Sequence, residues 1–406
     1  MPSDIVAGVI LVRQLQRLKR DMIINKTSTT YRHLSGVQVT QYTKFLDVTD
    51  EITCDLIKDL LYFSHYALAV YGWPLYVMNN SAGCCQLCPY LRCSKCIQES
   101  HLFASCCRPQ SEPRRVAKSP LVIDDNFCQC NEQTLHRVCK GKDFEAIYIS
   151  YHVGIAEPPF FVAVDHTKQA VVVSVRGTLS LQDVLTDLNA EGDLLPIEPR
   201  RENWLGHKGM IEAALYINKQ LIDRGILQQA FYHSLERGTP SYKLVLVGHS
   251  LGAGTVAILA ILLKHQYPNL VCFSYSPPGG LLSLPAIEYS KDFITSVVLG
   301  KDVVPRLGLH QMESLRYDLI GAIKRCEDPK WKVIGQSFRC CCCNPEQPET
   351  FSEKDYDSII PFLAKKEKVL STHPQDETIS LTVHQPLYPP GRVVHIVRSH
   401  PDKSLR

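Results

Sequence analysis

Hydrophobic and polar positions along the chain change period several times, and each change marks an element. Near the start, Ile5, Val6, Val9, Ile10 and Val12 recur at helical spacing behind Ser3-Asp4, a fair N-cap; Arg13, Arg17, Lys19 and Arg20 follow. This predicts a short amphipathic helix with a basic end, which fits an ordinary surface helix and a membrane-proximal one equally. Leu56, Leu60, Phe63, Ala67 and Val70 predict a second helix, ended by the glycine and proline of Tyr71-Gly-Trp-Pro74. After Asp143 the texture turns to strands at Ala146–Ser150, Phe160–Val164 and Ala170–Val175, with Asp165–Lys168 as a tight polar turn. Met210–Arg224 reads as an amphipathic helix, and further strands are expected at Val271–Tyr275, Phe293–Leu299 and Arg392–Val397. Strands alternating with helices predict an α/β fold, a mainly parallel sheet between helical layers.

One region breaks this rhythm. Between Arg325 and about Gln385, Lys, Glu, Pro and Ser are frequent and no long periodicity survives. A stretch of that length inside a compact domain is a functional insertion or is disordered. The expected organisation is therefore a helical, cysteine-rich, membrane-proximal segment over residues 1–140, then one α/β domain over 141–406. A long insertion at 325–385 would precede the last strand.

Composition narrows the classes. The 406 residues are 45% hydrophobic, ample for a core, and the net charge of +3 gives no reason to expect nucleic acid. Met1-Pro-Ser-Asp lacks the charged region of a secretory signal. The 17 cysteines are clustered, most of them between Cys84 and Cys139 and at Cys340–Cys343. Cys84-Cys85-x-x-Cys88 and Cys93-x-x-Cys96 fit two readings. One is zinc, although the spacer between them is too short for an ordinary ribbon or finger; the other is a surface loop, S-acylated beside a membrane. The second is the expectation here.

The candidate chemistry sits in Leu244–Gly254. An apolar, β-branched run enters Gly-His-Ser-Leu-Gly252, and Thr255–Leu263 continues as a buried helix. Leu244–Leu263 is also apolar enough to suggest a membrane span, but the His-Ser pair and three glycines in its middle favour a buried strand–turn–helix. That context makes G-x-S-x-G a nucleophile elbow, with Ser250 at the turn. Serine needs a histidine to take its proton and an acid to orient that histidine, in the chain order Ser, acid, His. Asp302, after the strand ending in Gly300-Lys-Asp302, is the candidate acid; a turn or capping aspartate is the structural alternative. Two N–H donors for an oxyanion are expected at Leu251 and Thr178, although Thr178 equally fits a helix cap near Leu181.

Val-Arg-Gly-Thr178, His207-Lys-Gly209, Gly-His-Ser-Leu-Gly252 and Gly-Lys-Asp302 together resemble the class 3 lipases. Tyr71-Gly-Trp-Pro74, Leu181-Gln-Asp-Val-Leu-Thr-Asp187, Trp204–Gly209, Tyr275-Ser-Pro-Pro-Gly-Gly280 and Leu387-Tyr-Pro-Pro-Gly391 tighten the match. It resembles the sn-1-specific diacylglycerol lipases, more their alpha than their beta form, over nearly the whole chain. The resemblance implies an α/β-hydrolase fold and a Ser-Asp-His triad that cleaves the sn-1 ester of diacylglycerol to a 2-monoacylglycerol such as 2-arachidonoylglycerol. It also implies Ca2+ stimulation, with no site readable here, a regulatory role for the insertion at 325–385, and residence at the cytoplasmic face of a membrane. Family members begin with four transmembrane helices, expected to lie before Met1, and their triad histidine is expected beyond Arg406. Topology alone would pick His400; His395 reads as an in-strand residue, and His249 belongs to the elbow. The competing functions are another lipid esterase, of monoacylglycerol or phospholipase A1 type, or an inactive, lipid-binding form.

Overall fold

The computed structural model describes residues 3–14, 46–80, 120–125, 129–178, 192–326, 329–337 and 386–397. Contacts divide the chain into two units. One comprises residues 44–308 with 386–396; the other comprises 1–43, 309–385 and 397–406.

The larger unit is built on one sheet. In chain order its strands are β1 (Leu121–Ile123), β2 (Phe144–Ser150), β3 (Phe160–Asp165), β4 (Ala170–Val175), β7 (Lys243–His249), β8 (Val271–Tyr275), β9 (Ile294–Leu299) and β10 (Arg392–Ile396). They lie side by side in that same order. A separate hairpin joins β5 (Gly192–Leu194) to β6 (Leu205–His207). Only β3 runs against its neighbours; β1–β2, β4–β7, β7–β8, β8–β9 and β9–β10 are all parallel pairs. This is the mainly parallel α/β sheet that the alternation of elements predicts. The strands expected at Ala170–Val175 and Val271–Tyr275 have those bounds, and the others agree to within two residues.

Both faces of the sheet are apolar because both are covered, as parallel sheets require. Along β4 the alternation is explicit. Val171, Val173 and Val175 pack with the helices Lys208–Asp223, Ile226–Phe231 and Leu251–Leu263 on one face. Ala170 and Val172 pack on the other against the helices Glu51–Ala69 and Cys130–Val138. The helix Leu251–Leu263 is buried at all but two of its positions, so its sequence carries almost no polar face and resembles a membrane span by composition. No described helix is long and apolar enough to cross a membrane.

Glu51–Ala69 is fastened by a buried polar knot as well as by packing. Asp165, 0% exposed at the end of β3, accepts hydrogen bonds from Tyr66 Oη at 2.6 Å, Tyr62 Oη at 2.8 Å and Lys168 N at 2.8 Å. Burying that carboxylate is tolerable only because three donors meet it. The helix starts at the N-cap Asp50, whose side chain accepts from Thr53 N.

In the smaller unit the described residues form three helices: 3–14, Leu309–Arg325 and Lys330–Ser337. Ala7, Leu11, Ala322 and Val333 make a small core, and Lys330 pairs with Asp4. The first helix forms where expected, but it buries Ala7 and Leu11, while Ile5, Val6 and Val9 of the expected apolar face are exposed. Leu309–Arg325, and Lys330–Ser337 inside the stretch that shows no periodicity, are elements the pattern does not announce. The paired cysteines of 84–107 and the Cys340–Cys343 block lie outside the described residues, as do Arg17, Lys19 and Arg20.

Tyr66→Phe removes one donor from the Asp165 knot and leaves the carboxylate under-satisfied. Chemical denaturation should show a loss of about 1–3 kcal/mol with the fold retained.

Candidate active site

The site forms where β4, β7 and β9 end, on one edge of the sheet. β7 runs into a turn at Ser250, whose φ of 57° and ψ of −127° lie where non-glycine residues rarely sit. Such a residue costs about 1–3 kcal/mol and persists only where its surroundings over-determine it. Here the surroundings are two glycines. A Cβ on Gly248 would stand 2.3 Å from the Gly252 carbonyl oxygen, and one on Gly252 would stand 2.4 Å from that of Val175. Strand, helix and the end of β4 therefore touch backbone to backbone, which only glycine allows. The turn is tied further by Ser250 N donating to Tyr275 O at 2.9 Å, and by Ser274 Oγ donating to Ala253 O at 3.1 Å.

Ser250 caps the helix Leu251–Leu263 with its backbone, and its side chain makes no capping hydrogen bond. It is 6% exposed. The N–H of Leu251 is among the first-turn donors that a helix cannot satisfy internally, and the helix dipole adds positive potential there. The chain leaving β4 runs alongside: a Cβ on Gly177 would lie 3.2 Å from Leu251 N. Thr178, the next residue, is thereby held beside the same helix end. The segment 179–191, including the helix cap weighed near Leu181, lies outside the described residues.

Asp302 follows β9, two strand spacings or about 10 Å along the sheet from β7. Its N–H donates to Leu299 O at 3.0 Å, and its Oδ1 accepts from Val304 N at 3.0 Å. So it does serve its own turn. Its Oδ2 has no hydrogen-bond donor among the described residues, which leaves that oxygen available to a histidine. Arg306 donates to the carbonyls of Asp302 and Gly300, fixing the turn.

No described histidine is placed as the base. His395 lies in β10 with Nε2 2.7 Å from the Gly300 carbonyl, so it donates to the acid's turn and is the in-strand residue expected. His249 is largely buried beneath the elbow, with Nδ1 2.9 Å from Tyr71 Oη. Burial lowers its pKa from the usual 6.5, and the charge of Asp302 partly offsets this. His400 lies outside the described residues. β10 is parallel to β9 and next to it, so the two strands end on the same edge of the sheet.

Three features of the site escape a reading by motif. Tyr71 ends the helix Glu51–Ala69 and reaches the elbow across 178 residues of sequence. Arg176 is half-buried beside Tyr71 and Tyr151, and its desolvation lowers the guanidinium pKa. The hairpin β5–β6 is joined to the region after β8 by His207 N donating to Leu281 O. Among the described residues no group of three or more His, Cys, Asp or Glu lies together to hold a metal.

Residues 172–312 match the family model described as lipase (class 3). Human diacylglycerol lipase-alpha is 45% identical over 99% of this chain and 37% of its own length. Mouse diacylglycerol lipase-beta is 35% identical over 98% of this chain and 55% of its own. The chain thus spans little more than a third of the length of the alpha relatives. Among solved structures, a lipase from Rhizopus microsporus var. chinensis aligns at 16% identity with a TM-score of 0.40, covering 64% of this chain and 71% of that one.

His249 generates a pH prediction. Its folded-state pKa is depressed, so the folded chain holds fewer protons than the unfolded one. The stability it contributes is complete above about pH 6.5 and is lost as the pH falls through the folded-state value. The difference in melting temperature between wild type and His249→Gln should narrow from about pH 7.5 to about pH 5. A gap that widens over this range would contradict the assignment.

Proposed function

We propose that this homologue of the diacylglycerol lipases, which carries a class 3 lipase domain over residues 172–312, is a serine hydrolase acting on the sn-1 ester of diacylglycerol. The observation that carries the reading is the elbow itself: Ser250 at φ 57°, braced by Gly248 and Gly252 at the N-terminus of a buried helix. Ser250 Oγ attacks the ester carbonyl while a histidine takes its proton. The tetrahedral oxyanion is met by Leu251 N–H and by Thr178. Collapse expels the glycerol oxygen, which takes the proton back, and leaves an acyl-enzyme. Water then attacks the acyl-enzyme by the same route, releasing a fatty acid and a 2-monoacylglycerol.

Asp302 orients the histidine and stabilises its charged form. The base comes from the chain after β10: His400 is the nearest candidate, and the resemblance favours one further on. Support for a donor from that direction is the neighbouring position of β9 and β10 and the open Oδ2 of Asp302. A substrate with two acyl chains resides in a bilayer, so the enzyme works against a membrane surface, as its relatives' substrate implies. The exposed Ile5, Val6 and Val9 suit a membrane-proximal first helix.

Ser250→Ala should abolish ester hydrolysis and leave the melting temperature nearly unchanged. Asp302→Asn should cut turnover by about two orders of magnitude or more, because it misorients the base. Both are measured on sn-1-labelled diacylglycerol, with sn-2-labelled diacylglycerol, monoacylglycerol and phospholipid as comparisons. Undiminished turnover by Ser250→Ala overturns the nucleophile assignment, and faster cleavage of phospholipid overturns the substrate.

A further inference from the structure

We infer that the Tyr71 hydroxyl is a strut that holds the oxyanion loop against the nucleophile strand, making Tyr71 a positioning residue for acyl transfer. This rests on the hydrolase reading above.

Three separate segments meet at this one oxygen. Tyr71 comes from the turn after the helix Glu51–Ala69, where Gly72 at φ 70° redirects the chain into the helix Trp73–Asn79. The Tyr71 side chain is buried, with 4% exposed, and its ring meets the His249 ring edge-on at 5.8 Å. Its hydroxyl lies 2.9 Å from His249 Nδ1 and 3.3 Å from His249 O, the residue just before the nucleophile. On its other side stands the loop after β4. A Cβ on Gly177 would be 2.7 Å from the Tyr71 hydroxyl and 2.5 Å from His249 O, and the Gly177 backbone hydrogen-bonds that hydroxyl.

The directions of these bonds follow from chemistry. The Gly177 N–H can only donate, so the phenol oxygen accepts from it. The phenol O–H then donates to His249 O at 3.3 Å, and the His249 ring, 2.9 Å away at Nδ1 and kept neutral by burial, completes the contact. Burial pushes the tyrosine pKa up to about 12, so the O–H stays protonated in the working range.

What the strut fixes is the gap between Leu251 N–H and Thr178, the two donors assigned to the oxyanion. Those donors belong to different segments, and the strength of a preorganised hole depends on their separation. A phenylalanine would fill the same volume and leave the loop without its link to the elbow. The sheet registers β4 and β7 only as far as Val175 and Gly248, so past that point the register must come from elsewhere. Tyr71 supplies it.

The test uses the whole chain and a short-chain p-nitrophenyl ester. Tyr71→Phe should lower kcat about tenfold, with KM changed less than twofold. Affinity for an alkylboronic acid, which forms a tetrahedral adduct with Ser250, should fall by the same factor. Unchanged kcat and boronic acid affinity overturn the strut, and so does a rise in KM that accounts for the whole loss. A second measurement is independent of turnover: 15N NMR of the histidines should find His249 neutral at about pH 7 and its Nδ1 signal shifted in Tyr71→Phe. An Nδ1 signal unchanged by Tyr71→Phe overturns the proposal. A wild-type chain without Ser250-dependent turnover would refute the hydrolase reading and leave this NMR test intact, so the two failures are distinguishable.

Discussion

The close approach of three backbones at the elbow is the constraint on which the rest depends. Gly252 lies against the carbonyl of Val175, and Gly248 lies against that of Gly252. Any side chain at either position would drive the helix Leu251–Leu263 away from β4 and β7. With the glycines in place, the serine between them is forced into a backbone conformation it would not choose. The cost, about 1–3 kcal/mol, is offset by the burial of a helix whose residues are nearly all core. Strain at the nucleophile and apolar packing of the helix are therefore one arrangement seen from two sides.

Around that point the sheet acts as a rigid frame. Parallel neighbours β7, β8 and β9 bring Ser250 and the turn of Asp302 to a common edge, and β10 extends the edge by one more strand. The second layer of helices matters as much as the first. Glu51–Ala69, anchored by Asp165, delivers Tyr71 to the elbow from the opposite face. This edge is thus built by residues from both faces, with Tyr71 arriving from a helix end rather than from a strand.

Much of this was legible in the sequence, for identifiable reasons. Strands buried on both faces read as apolar runs, and G-x-S-x-G between such a run and an apolar helix has one common structural meaning. Asp302 was singled out because it follows a strand at a turn glycine, and the structure shows that one of its oxygens serves that turn. Tyr71 was not legible as part of the site. Its partner lies 178 residues away, and a tyrosine at a helix end carries no local signal of what its hydroxyl meets. The strand β1 and the hairpin β5–β6 escaped notice because three residues are too few to show a period. The helix Leu309–Arg325 escaped because its described residues bury little: Met312, Leu315 and Ile320 are exposed and Ala322 is in the core.

The central claim is that Ser250 is presented to an oxyanion hole formed by the start of its own helix and the loop after β4. A crystal structure of the chain after reaction with an alkyl fluorophosphonate tests it most directly. Ser250 Oγ displaces fluoride, and the phosphonyl oxygen then marks where a tetrahedral oxyanion would lie. The account predicts phosphorus on Ser250 and that oxygen within about 3 Å of both Leu251 N and a donor of Thr178. An adduct on another residue, or a phosphonyl oxygen turned away from Leu251 and Thr178, would contradict it.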